Sequence, residues 1–138
     1  MGVILDTSVL VTAERNALPI AEFLRDLQKK VGPQENLALS TVSVTELEHG
    51  IWRADNALRE RDRRRFLEDL LTVVPAYPLT TEIARLAGRI DAERKRHGVA
   101  IPFQDLIIGV TALYFEYRVL TRNPRHFEMI PDLGVILF

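Results

Sequence analysis

A chain of 138 residues, 47% hydrophobic and 27% charged, has the length of one domain and the composition of an ordinary globular protein. It contains no cysteine, which excludes disulfide frameworks, thiolate zinc sites and cysteine nucleophiles and is compatible with a reducing cytoplasm. The formal net charge of −1 does not advertise a nucleic-acid binder, although basic residues cluster at 59–65 and 94–97.

The chain opens with Val3-Ile4-Leu5-Asp6-Thr7-Ser8, an apolar run that ends abruptly in a carboxylate and two hydroxyls. This reads as a buried strand, a tight turn, and a short helix over residues 9–14. The start has no basic leader and Asp6 interrupts its apolar run, so no secretory signal is expected. A second helix is predicted over residues 18–31, with a one-sided stripe of Ile20, Phe23, Leu24, Leu27 and Val31. Pro19 fits its first turn and Gly32-Pro33 stops it. Leu37-Ala38-Leu39 is a short second strand ending in Ser40-Thr41.

A third helix over 44–54 turns Val44, Leu47, Ile51 and Ala54 inward, and a fourth over 58–71 is apolar at Phe66, Leu67, Leu70 and Leu71. Residues 73–77 read as a third strand, which Pro75 assigns to an edge. The fifth helix, 82–97, buries Ile83, Ala84, Leu86, Ala87 and Ile90, and Gly98 ends it. Pro102 opens a sixth helix that is apolar almost all round. Its apolar run, 106–115, is too short to span a bilayer, and no membrane partner is expected. Residues 119–121 and 134–138 complete five strands. Alternation of strands and helices implies an α/β fold, a mostly parallel sheet covered on both faces.

In such sheets ligands bind just outside the carboxyl ends of the strands, which is where Asp6 falls. Asp, Thr and Ser are also good helix N-caps, so capping and ligand binding both stay open for Asp6, Thr7 and Ser8. Asp105 shares a helix face with Ile108, Gly109 and Ala112. Burying a lone carboxylate there costs several kcal/mol unless it is paired, protonated or metal-bound; its other reading is a favourable first-turn acid. Ser43-Val44-Thr45-Glu46 matches a capping box, which accounts for Glu46 by itself. Yet Glu46 also follows the second strand, at the same edge as Asp6. Gly50, one turn on, suggests close packing, because glycine within a helix costs about 1 kcal/mol relative to alanine. Asn123-Pro124 reads either as the cap and first residue of a short helix or, with Thr121, as polar groups at that edge.

If these pieces converge, Asp6, Glu46 and Asp105 form one acidic pocket whose members raise each other's pKa. A divalent cation held by oxygen ligands would relieve the repulsion, and Mg²⁺ or Mn²⁺ suits such a set. That chemistry fits phosphodiester hydrolysis. No phosphate-binding glycine loop, dinucleotide fingerprint or nucleophile elbow occurs. His49, His97 and His126 lack zinc spacing and read as surface or helix-end residues.

Ile4-Leu5-Asp6-Thr7-Ser8, Thr45-Glu46-Leu47 with Gly50-Ile51, Asp105-Leu106-Ile107-Ile108 through Ala112-Leu113, and Leu120-Thr121-Arg122-Asn123 with Phe127 together resemble the PIN-domain ribonucleases, and among them the VapC-type toxins of toxin–antitoxin pairs. The resemblance covers the whole chain, 1–138, as one PIN-like domain. It implies a five-stranded parallel sheet between helices, a Mg²⁺-dependent endoribonuclease, a homodimer, an RNA substrate and a cognate antitoxin. By resemblance, Asp6 and Asp105 bind metal and Glu46 completes the pocket. A fourth acid often found near Asn123 is neutral here. Asn123 is therefore expected among the catalytic residues, with Thr7, Ser8 and Thr121 supporting them. Two rival readings are a catalytically weak PIN-like binding module and a receiver-like phosphoacceptor. The latter would want a second acid beside Asp6 and a late lysine, which Thr7-Ser8 and Thr121-Arg122 do not supply.

Overall fold

The computed structural model describes residues 1–138. Five strands form one sheet: β1 (Gly2–Leu5), β2 (Asn36–Ser40), β3 (Ala76–Tyr77), β4 (Arg118–Thr121) and β5 (Val135–Leu137), in the order β3-β2-β1-β4-β5. Every pairing is parallel, with Val3 opposite Leu37 and Arg118, and Ile4 opposite Ala38 and Val119. The expected sheet is present, with β3 at an edge. Six helices cover it: α1 (Thr7–Arg15), α2 (Ile20–Val31), α3 (Thr41–Trp52), α4 (Ala57–Val73), α5 (Thr81–Arg96) and α6 (Phe103–Tyr114).

Strand side chains alternate between faces, and the core divides accordingly. Val3, Leu5, Leu39 and Leu120 pack with Val9, Leu10, Phe23, Leu27, Leu47 and Leu70 of α1 to α4. Ile4, Ala38 and Val119 point the other way, against Ile83 and Ala87 of α5 and Leu106 to Val110 of α6. Each large side chain sealed in either layer contributes about 1.5–3 kcal/mol. From β1 the chain steps outward to β2 and β3, then returns to the other side of β1 for β4 and β5. The carboxyl ends of β1 and β4 therefore flank the point where strand order reverses. The ladder runs one residue beyond β1, with the Asp6 N–H donating to the Leu120 carbonyl at 2.9 Å.

Several local expectations are corrected. Thr7 and Ser8 belong to the first turn of α1 rather than to a preceding turn. Pro19 occupies the cap position of α2. α3 begins at Thr41, capped by Ser40, so Ser43 lies inside the helix and the capping box does not form. Ala54 lies beyond α3. The apolar residues after Leu70 continue α4 to Val73, because the Val74 N–H still reaches the Leu70 carbonyl and Pro75 then ends the run; only Ala76 and Tyr77 pair as strand. Leu71 and Ala84 face solvent. A Cβ at Gly50 would meet open space, so close packing does not explain the glycine. Asn123 does not cap a helix; a single 3-10 turn begins later, at Phe127–Met129. Gly98 has φ +76°, the conformation expected of a helix stop. No helix is long and apolar enough to cross a membrane.

Candidate active site at the carboxyl edge of the sheet

Asp6 occupies the N-cap position of α1, but its side chain does not cap the helix. Its Oδ2 instead accepts from the Ser8 hydroxyl at 2.7 Å and the Thr121 hydroxyl at 2.8 Å. Both donors are themselves fixed, since the Arg122 N–H donates to Ser8 Oγ and the Asn123 N–H to Thr121 Oγ1. Two hydrogen bonds, one from α1 and one from the end of β4, thus hold one oxygen of Asp6, and the N–H groups that follow β4 fix both donors. Oδ1 takes no protein hydrogen bond and is not sealed from its surroundings.

Asp105 lies in the first turn of α6. Its Oδ2 is 2.7 Å from His126 Nδ1, and its Oδ1 takes no protein hydrogen bond. Asp6 and Asp105 line one cavity of about 590 Å³ together with Arg122, Asn123, Arg125 and His126. Burial holds the Asp105 carboxyl above its ordinary pKa; the His126 hydrogen bond and charge oppose that, while the Asp6 charge adds to it.

Glu46 does not line this cavity. Its Oε1 accepts from the Thr7 hydroxyl at 3.0 Å, and Thr7 Oγ1 lies 2.8 Å from Ser43 Oγ. Thr7 has one proton and gives it to Glu46, so Ser43 donates to Thr7. Burial pushes the Glu46 carboxyl above its ordinary pKa; the Thr7 hydrogen bond pulls it down, and the charges of Asp6 and Asp105 push it up. Glu46 therefore stands near enough to Asp6 and Asp105 to feel their charge without sharing their cavity. No three acidic or histidine side chains converge into a complete metal-ligand set. What the site offers is two carboxylates lining one cavity, each with an oxygen that no protein donor takes; carboxylate oxygens are the donors a hard divalent cation accepts while keeping water in its other positions.

A PIN domain model matches residues 3–132. The chain belongs to the PIN domain family. Among similar proteins, a Ribonuclease VapC of Rickettsia bellii is 27% identical, the alignment covering 99% of this chain and 96% of that protein. The PIN fold recurs in VapBC2 of Rickettsia felis bound to a promoter DNA fragment, with a TM-score of 0.84, 21% identity, and coverage of 100% of this chain and 99% of that one. It recurs in VapBC-1 of nontypeable Haemophilus influenzae, with a TM-score of 0.79, 26% identity, and coverage of 99% and 98%.

The expected PIN residues Asp6, Thr7, Ser8, Glu46, Asp105, Thr121 and Asn123 all gather at the carboxyl edge, though in two groups, with Glu46 and Thr7 standing beside the cavity rather than in it. The Asn123 side chain lines the cavity without a protein partner of its own. Two participants escaped sequence reasoning. Ser43 was legible only as a cap, although it lies one turn before Glu46. His126 looked like a surface residue; its one signal is its place three residues after Asn123, in the loop leaving β4. Arg122, Arg125 and His126 also bring cationic groups to a pocket that seemed purely acidic in sequence.

Proposed function

We propose that the chain is a Mg²⁺- or Mn²⁺-dependent endoribonuclease, the toxin of a VapC-type toxin–antitoxin pair acting in the cytoplasm. The reading is carried by one observation: Asp6 and Asp105 line the same cavity, and each has one oxygen held by protein donors and the other without a protein partner. Their unpartnered oxygens would hold the cation. When bound, the cation supplies charge neutralisation at the scissile phosphate and a lowered pKa for water. Ser8 and Thr121 keep the Asp6 carboxylate in one orientation. Glu46, aimed by Thr7 and disposed by its surroundings to accept a proton, orients the attacking water. Asn123 donates to a phosphate oxygen, and Arg122 and Arg125 at the rim draw the RNA backbone toward an otherwise repulsive pocket. In-line attack opposite the 3′-oxygen leaves a 5′-phosphate and a 3′-hydroxyl. The likeness to VapBC structures and the name of the Rickettsia bellii relative support the toxin assignment. The expected partners are RNA, a second copy of the chain, and an antitoxin segment that presents Arg or Lys to the acids.

The test is cleavage of RNA by pure protein. Excess EDTA should abolish it, added Mg²⁺ should restore it, and Mg²⁺ should raise thermal stability through linkage. Undiminished cleavage in EDTA would overturn the metal-dependent reading. Failure to co-purify with the product of an adjacent gene would count against the toxin reading alone.

A further inference from the structure

His126 is brought to Asp105 by packing that begins one turn along α6. Gly109 lies four residues after Asp105, on the same helix face. A Cβ at Gly109 would meet Ile130 at 2.3 Å, Leu133 at 3.2 Å and Phe127 at 3.3 Å. Its absence lets Ile130 and Phe127 sink onto α6, where both are almost completely buried. With Phe127 fixed over Gly109 and Thr121 fixed at the end of β4, the five residues between them have little freedom. The last of them, His126, lands with Nδ1 2.7 Å from Asp105 Oδ2. Opposite a carboxylate, Nδ1 must carry the hydrogen and donate.

We propose that His126 is the positioning residue of Asp105: it occupies Oδ2 and so leaves Oδ1 as the one oxygen presented to a cation. Asp6 is treated the same way by Ser8 and Thr121, which take its Oδ2. Each acid is thereby restricted to a single free oxygen, so the pair offers two oriented donors instead of two rotating carboxylates. Outer partners of this kind orient their ligands and are worth about 10–100-fold in metal affinity. The proposal rests on the metal-dependent reading above.

The test compares His126→Ala, His126→Asn and His126→Gln. An asparagine amide can stand where Nδ1 stands, whereas a glutamine amide reaches toward the Nε2 position. Mn²⁺ binding is measured on the protein without RNA, by calorimetry or by the spectrum of free Mn²⁺, alongside thermal stability without metal. His126→Ala should weaken Mn²⁺ binding about 10–100-fold. His126→Asn should restore it to within a few-fold of the wild type, and His126→Gln should not. If His126→Ala does not fold, the contrast between Asn and Gln decides. Wild-type Mn²⁺ affinity in His126→Ala, or equal affinity in the Asn and Gln variants, would overturn the positioning role while leaving the metal site intact. A wild-type protein that binds no Mn²⁺ would overturn both.

Discussion

Two glutamates, Glu14 and Glu46, pose the same electrostatic problem and receive opposite answers. Each is largely shielded from solvent, and burial pushes each carboxyl above its ordinary pKa. Glu14, at the end of α1, meets Arg63 of α4, with Nε 3.4 Å from Oε1 and only 12% of the glutamate side chain exposed. Arg63 also donates to the Gly50 carbonyl at 2.7 Å, so one guanidinium ties α1, α3 and α4 together. A hollow of about 710 Å³ lies beside this pair, larger than the cavity at the sheet edge, but its acid is already answered. Glu46 has a threonine hydroxyl and two acids for neighbours. A shielded carboxylate with its own cation is a brace; Glu46, left among other carboxylates, has no such partner in the fold.

The sharpest break between the two regions is in activity. If Asp6 and Asp105 hold an ion that supplies several kcal/mol of transition-state stabilisation, Asp6→Asn or Asp105→Asn should slow RNA cleavage at least about a hundredfold. Circular dichroism should show the fold unchanged. Glu14→Gln should leave cleavage within about twofold of the wild type, since nothing at that pocket touches the edge of the sheet. A rate for Asp105→Asn equal to that of the wild type would return Asp105 to the role of a first-turn helix acid.

In stability the order reverses. Arg63→Met leaves Glu14 buried without its partner and the Gly50 carbonyl without its donor. Stranded polar groups of this kind cost about 1–3 kcal/mol, read as a lower urea midpoint with an unchanged slope. Adding Glu14→Gln to Arg63→Met should recover most of the loss, because the cost lies mainly in the stranded charge. A double variant no more stable than Arg63→Met would make the guanidinium's packing, and not the ion pair, the source of the brace.

Asp6 and Asp105 were legible in the sequence because each is a carboxylate in apolar company: one ends a strand, the other opens a helix apolar on nearly every side. Periodicity gave the helices and the parallel sheet for the same reason, since each side chain's face follows from its position in the repeat. What stayed hidden depends on tertiary approach. Thr7 meets Glu46 across 39 residues, and His126 meets Asp105 across 21, where α1 lies on α3 and Phe127 lies over Gly109. The capping box at Ser43 misled because the turn from β2 into α3 is so tight that Ser40 both ends the strand and caps the helix. At residue 73 an apolar, β-branched run looked like strand, but Val73 is the exposed last residue of α4 and the backbone becomes extended only at its C-cap, Val74.

The smallest expected effect isolates the cost of keeping Glu46 where it is. Its pKa in the fold lies above the ordinary value of 4.5, so the native state holds the proton to higher pH than the unfolded chain does. Where the native state binds more protons, stability falls as pH rises. The contribution of Glu46 is therefore fully present below about pH 4.5 and is lost as pH climbs through the folded pKa. Glutamine keeps an oxygen for the Thr7 hydroxyl but cannot ionise. Without metal, Glu46→Gln should be slightly more stable than the wild type at pH 7.5, by less than the Arg63→Met loss, because the group is only partly buried and solvent screens its charge. The advantage should vanish at pH 4. Urea midpoints of both proteins in EDTA at the two pH values measure it. An advantage equal at both would trace to packing and not to charge. No advantage at either would mean that burial, with the charges of Asp6 and Asp105 added to it, does not raise the Glu46 carboxyl, and the comparison with Glu14 would lose its electrostatic basis.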